Sequence, residues 1–211
     1  MAVTKEHSKV VQKYKHWSDK YTPEIKEILK YQLGFHTVKE PNDYKDDLHR
    51  NTDLVGFRTG KEIGVRIATR IREHKWLEPF KHEITLRWKF VVNNETETEF
   101  RKVMKGWGDI YLYGYAGKDT DKLAYWYIAD LHALRIWIYD HLAEHGTLPE
   151  HSTIKPPCDA GAEPNISIGF DARKIPKFVV AEHSPFFIPV TNGIALADTG
   201  LSAIVENTAV T

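Results

Sequence analysis

Apolar residues recur along the chain in two periods, and the change from one to the other divides it into elements. Val10, Tyr14 and Trp17 fall at helical spacing. Thr22-Pro23 then opens a second helix whose stripe is Ile25, Ile28, Leu29 and Leu33, closed by Gly34. Phe35 to Lys39 reads as a short strand before a polar turn at Glu40-Pro41-Asn42-Asp43.

The period then becomes two. Residues 53–58, the Thr59-Gly60 turn and residues 63–70 predict a hairpin, and Glu83 to Phe90 a third strand of the same meander. On that strand Ile84, Leu86, Trp88 and Phe90 share one face, and Glu83, Thr85, Arg87 and Lys89 share the other.

Thr96-Glu97-Thr98-Glu99 reads as a capping box for a helix carrying Phe100, Val103, Met104 and Trp107. Two strands follow, 109–115 and 123–128, and Asp130 caps a helix with Leu131, Leu134, Ile138 and Leu142 inward, ended by Gly146. Short strands at 166–170 and 178–181 complete the pattern. The expected fold class is α/β (α+β): a central mixed sheet flanked by helices. The expected division is a core over 1–155, a strand extension of the same domain over 156–190, and an apolar tail over 191–211.

Composition narrows the function classes. The 211 residues carry 29 Lys plus Arg against 29 Asp plus Glu, so the whole molecule lacks the basic excess that announces a nucleic-acid binder. Charge is unevenly placed, however. Beyond Lys177 there is no Lys or Arg, only Glu182, Asp198 and Glu206, so the body carries the matching excess of cations. The single cysteine, Cys158, excludes an intramolecular disulfide framework and any structural zinc site built on two thiolates. With no apolar run of membrane-spanning length, the expected location is the cytoplasm, or the host cytoplasm for a viral or phage-like protein.

Several acids stand where the chain enters strands: Asp53, Glu83 and Asp109, with Arg66 and Arg87 on the strands between. Converging carboxylates hold a hard cation, and a neighbouring guanidinium neutralises phosphate charge. Such acids also commonly cap turns. Tyr111, Tyr113 and Tyr115, with Tyr125 and Tyr127 on the next strand, read first as aromatic core and second as a stacking surface. His141 and His145 have the spacing of a metal pair but lack the glutamate of a zincin; beside Asp140 and Glu144 they read as a solvated helix end.

The order helix, three-stranded meander, helix, strand, with an acid opening the hairpin, resembles the PD-(D/E)XK (restriction-endonuclease-like) nuclease superfamily over about residues 20 to 130. The resemblance implies a restriction-endonuclease-like core hydrolysing nucleic-acid phosphodiesters with Mg²⁺ (or Mn²⁺). It makes Asp53 the first acid, Glu83 the second and Glu24 the helical one; in the mechanism expected from these residues Asp53 and Glu83 ligate the metal, Glu24 or Asp109 completes the sphere or positions water, and Arg66 and Arg87 hold the phosphate. The family's Glu-x-Lys is absent from every predicted strand after Asp53, and arginine cannot replace its lysine as a base. Pro23-Glu24-Ile25-Lys26 matches in letters only, because residues i and i+2 of a helix point apart. The expectation is therefore a Mg²⁺-dependent nuclease or a nuclease-derived nucleic-acid binder. The alternative is a non-catalytic assembly or adaptor protein that forms a homo-oligomer or docks a partner through the apolar tail.

Overall fold

In the computed structural model, residues 17–41, 51–90, 97–154 and 165–183 are described. Helix α1 (Thr22–Leu33) buries Ile25, Leu29 and Leu33 and ends at Gly34, whose φ of 66° is the left-handed turn that stops it. Its N-cap position is Tyr21, not Thr22, and no side chain caps it. The expected helix around Val10 and Tyr14 lies outside the described residues.

Strands β1 (Thr37–Lys39), β2 (Leu54–Phe57) and β3 (Val65–Arg72) form an antiparallel meander. After a 3₁₀ turn (His74–Trp76) and the single-turn helix α2 (Leu77–Phe80) comes β4 (Glu83–Phe90), then α3 (Glu99–Met104). Strand β5 (Ile110–Ala116) lies parallel to β3, and β6 (Leu123–Asp130) pairs antiparallel with β5. Helix α4 (Leu131–His145) follows, capped by the Asp130 carboxylate, which accepts from the N–H groups of His132 and Ala133. The last elements among the described residues are β7 (Ser152–Ile154), β8 (Asn165–Asp171), a second 3₁₀ turn (Ala172–Lys174) and β9 (Val179–Glu182).

These strands make two sheets. A six-stranded mixed sheet runs β1-β2-β3-β5-β6-β9, and a three-stranded antiparallel sheet runs β4-β8-β7. The fold is α+β, with the mixed central sheet expected from the sequence. One expectation is corrected: β4 is not the third strand of the meander. It pairs with β8 in the smaller sheet, and the short strand 37–39 takes the meander position at the edge of the main sheet.

Strand alternation assigns the two faces of the main sheet. Ile67, Ile110, Leu112 and Ile128 pack with Tyr21, Ile25, Leu29 and Leu33 of the α1 side. Ala68, Tyr111, Tyr113, Tyr115 and Tyr127 point the other way, into a core shared with Ile84 and Leu86 of β4, Phe170 of β8, Val103 of α3 and Leu134 and Ile138 of α4. The tyrosine face is thus core, not a stacking surface: Tyr113 and Tyr115 are fully buried. Tyr113 and Tyr127 stand opposite each other and stack with centroids 5.4 Å apart.

Candidate functional site

Strand β3 presents Arg66, Ala68, Arg70 and Arg72 on the face that carries the tyrosines, and two of these arginines organise separate polar clusters. The deeper one joins the sheets. Arg70 donates through Nη1 to the Thr85 carbonyl and through Nη2 to Glu99 Oε2, both at 2.5 Å. Glu99 also accepts from the Arg87 backbone N–H at 3.1 Å and from the Tyr111 hydroxyl, while the Tyr127 hydroxyl donates to the Glu83 carbonyl at 3.2 Å. The backbone groups of Glu83, Thr85 and Arg87 line the edge of β4 opposite β8, so the side chains of Arg70, Glu99 and Tyr127 cap the edge that has no strand partner among the described residues. Burial pushes the Glu99 carboxyl upward, but the charges of Arg70 and then Arg87, with the Tyr111 and Arg87 hydrogen bonds, outweigh it and hold the group below the ordinary carboxylate range.

The second cluster is nearer the surface, at the start of β5. Asp109 and Arg66 form a two-pronged pair, Nη2 to Oδ1 at 2.6 Å and Nε to Oδ2 at 3.1 Å, and the Arg66 N–H also donates to Oδ2 at 2.8 Å. The turn Gly106-Trp107-Gly108 sits over it. Arg66 Nη2 donates to the Gly106 carbonyl, and its guanidinium lies 5.6 Å from the centre of the Trp107 ring. From α4, Arg135 donates to the carbonyls of Val103 and Gly108, and the Tyr139 hydroxyl to that of Met104. These donors meet carbonyls at the C-terminal end of α3 and in the turn after it, the Val103 carbonyl also accepting from the Gly106 N–H. Burial lowers the Arg135 pKa, Asp109 and Asp130 oppose this, and the like charge of Arg66 adds to it.

Gly108 is needed where it stands. Its φ is +75°, and a Cβ there would sit 2.9 Å from Leu131 Cδ1. Beside it, Asn51 Nδ2 is buried with no hydrogen-bond partner among the described residues. Around this turn and the exposed side of α3 stand five cations, Arg66, Arg101, Lys102, Lys105 and Arg135, against three carboxylates, Glu97, Asp109 and Asp130. Trp107 and Tyr139 lie among them, Tyr139 half exposed.

The carboxylates expected to share a cation are distributed differently. Asp53 accepts from the Thr69 N–H at 2.5 Å and hydroxyl at 3.0 Å, tying the start of β2 to β3. Glu83 is on the smaller sheet, held by Ser152 and Thr85. Glu24, on α1, accepts from the Leu123 N–H at the start of β6. Asp109 is engaged by Arg66. Among the described residues no three His, Cys, Asp or Glu side chains gather as a metal-holding group, and each of these four carboxylates meets different partners. Of the expected site, Arg66 and Asp109 meet; Arg87 meets neither and serves the β4 edge instead. Strand β3, the true neighbour of Asp53, carries no carboxylate between Val65 and Arg72.

Sequence reasoning passed over Arg70, Glu99, Arg135 and Tyr139. Arg70 alternates with Arg66 and Arg72 on β3, which is a readable signal. Glu99 falls in the capping-box pattern that the sequence suggests, but the N-cap of α3 is Thr98, and Thr96 lies outside the described residues. The apolar tail, 191–211, is also outside them, and so is Cys158. Scans of protein-family models, curated proteins and solved structures return no match for this chain. No helix among the described residues is long and apolar enough to cross a membrane.

Proposed function

We propose that this protein binds the phosphate backbone of nucleic acid through the surface formed by α3, the Gly106-Trp107-Gly108 turn and the Arg66–Asp109–Arg135 cluster. The observation that carries the reading is the local excess of five cations over three carboxylates around two partly exposed aromatic rings, in a molecule whose total charge is balanced. Such a surface attracts a polyanion electrostatically, and the aromatic rings offer bases or sugars a stacking partner. Asn51 Nδ2 adds an unmet donor at the margin of the same turn.

The scaffold supports the same reading. An initial helix, a three-stranded antiparallel meander and a crossover to a strand parallel to its third member form the order that resembles a nuclease core. Asp53 stands at the start of the middle meander strand, but its neighbouring strand supplies Thr69 where the family pattern calls for an acid. The reading is accordingly a nuclease-derived binder, and no hydrolytic step is assigned to Asp53 and Glu83.

The test is fluorescence anisotropy with labelled single- and double-stranded oligonucleotides across salt. The expected result is affinity that falls with salt at a slope of about 0.7 to 0.9 per phosphate contacted. The pair Lys102→Glu and Lys105→Glu should weaken binding and flatten the slope, whereas Lys26→Glu and Lys30→Glu on α1 should not. Equal affinity of the two variants, or binding indifferent to salt, overturns the assignment.

A further inference from the structure

Helix α4 carries chemistry at its far end that the nucleic-acid surface does not use. His141 and His145 are four residues apart on its last turn, and their imidazole centroids lie 4.3 Å from each other at an interplanar angle of 61°. One turn of helix separates successive layers by about 5.4 Å, so the two rings lean toward one another rather than apart. His145 keeps about half of its side chain exposed, so an ion can reach it.

We propose that His141 and His145 form a two-imidazole chelate for a divalent first-row transition ion of the zinc and nickel type. Neutral imidazole nitrogens suit these ions at about 2.0 to 2.1 Å, whereas Mg²⁺ and Ca²⁺ prefer oxygen ligands. The site lies at the C-terminal end of the helix, where aligned carbonyl dipoles favour positive charge. Glu144 reinforces that field, with Oε2 3.6 Å from His145 Nε2. Because no group of three ligating side chains gathers among the described residues, the protein supplies two ligands and water completes the sphere. The ion keeps its oxidation state and displaces only water and any imidazole protons. This inference is independent of the proposed nucleic-acid surface.

The experiment titrates the full-length chain with Zn²⁺ by calorimetry and with paramagnetic Ni²⁺ by NMR of the imidazole protons. The expected result is that His141 and His145 resonances broaden first among the histidines. His141→Ala and His145→Ala should each lose roughly a hundredfold in Zn²⁺ affinity, because the second ligand acts at high effective concentration. His132→Ala, an exposed histidine at the other end of the same helix, should bind as the parent does. Broadening that begins at other histidines, or Zn²⁺ affinity unchanged in His141→Ala and His145→Ala, overturns the proposal; the NMR arm needs no substitution, so a folding defect cannot mask the answer.

Discussion

Replacing both members of the inter-sheet ion pair, Arg70→Met with Glu99→Leu, separates two accounts of what it does. Removing one partner alone leaves an uncompensated charge among apolar groups and costs about 3 to 5 kcal/mol. Arg70 and Glu99 side chains are 23% and 14% exposed, so solvent screens that charge only in part. If the pair were merely an ion pair, the double apolar variant would return to near neutrality, as buried pairs replaced by packed apolar residues do. The β4 edge predicts otherwise. The Thr85 carbonyl and the Tyr111 hydroxyl lose their partners when both side chains go, and each costs about 1 to 3 kcal/mol if left unmet. The Arg87 N–H belongs to an exposed residue and can turn to water. The double variant should therefore remain at least about 2 kcal/mol less stable than the parent, measured by urea unfolding of the whole chain followed through tryptophan fluorescence. Recovery to within about 1 kcal/mol would refute edge capping.

Three further outcomes follow from the same contacts. The Glu99 carboxyl is held below its ordinary value in the folded state, so its contribution is complete above the unfolded carboxylate pKa of about 4.3 and is lost as pH falls through the lower folded value; Glu99→Gln should show a shallower acid decline in Tm than the parent. Gly169→Ala would place a Cβ 2.4 Å from the Glu83 carboxyl and from Ser152 Oγ, and should lower stability by about 1 to 3 kcal/mol in the same unfolding assay. Asp53→Ala removes two hydrogen bonds to Thr69 and should cost about 1 to 3 kcal/mol while leaving oligonucleotide affinity unchanged; a Mg²⁺-dependent rise in Tm present in the parent and absent in the variant would count against the structural role.

What could be read from the sequence were elements whose periodicity and punctuation agreed. Helix α1 has a clean stripe and a glycine stop, α4 has Asp130 before it and Gly146 after it, and both appear within a residue of expectation. The tyrosines of β5 and β6 were legible as core because five rings on one face cannot all be solvated at low cost. Strand pairing was not legible. Residues 83–90 alternate as any half-buried strand does, and nothing local distinguishes joining β3 from joining β8, which follows some eighty residues later. That non-local choice moved Glu83 to another sheet and dissolved the expected acid cluster.

The same step explains why the charged residues kept their importance but changed their roles. An acid and an arginine on adjacent strands can serve a cation or serve each other, and the register decides between them. Here Asp109 precedes β5 by one residue and accepts the Arg66 backbone and guanidinium together, so its oxygens are committed within the protein. Arg66 still lies beside Trp107 with a third of its side chain exposed. A carboxylate bound on several sides makes a poor metal ligand, while a guanidinium has five donors and retains some after a two-pronged pair. The pairing thus leaves donors of Arg66 beside Trp107 while it uses the oxygens of Asp109, and both residues are visible in the sequence once the strand order is known.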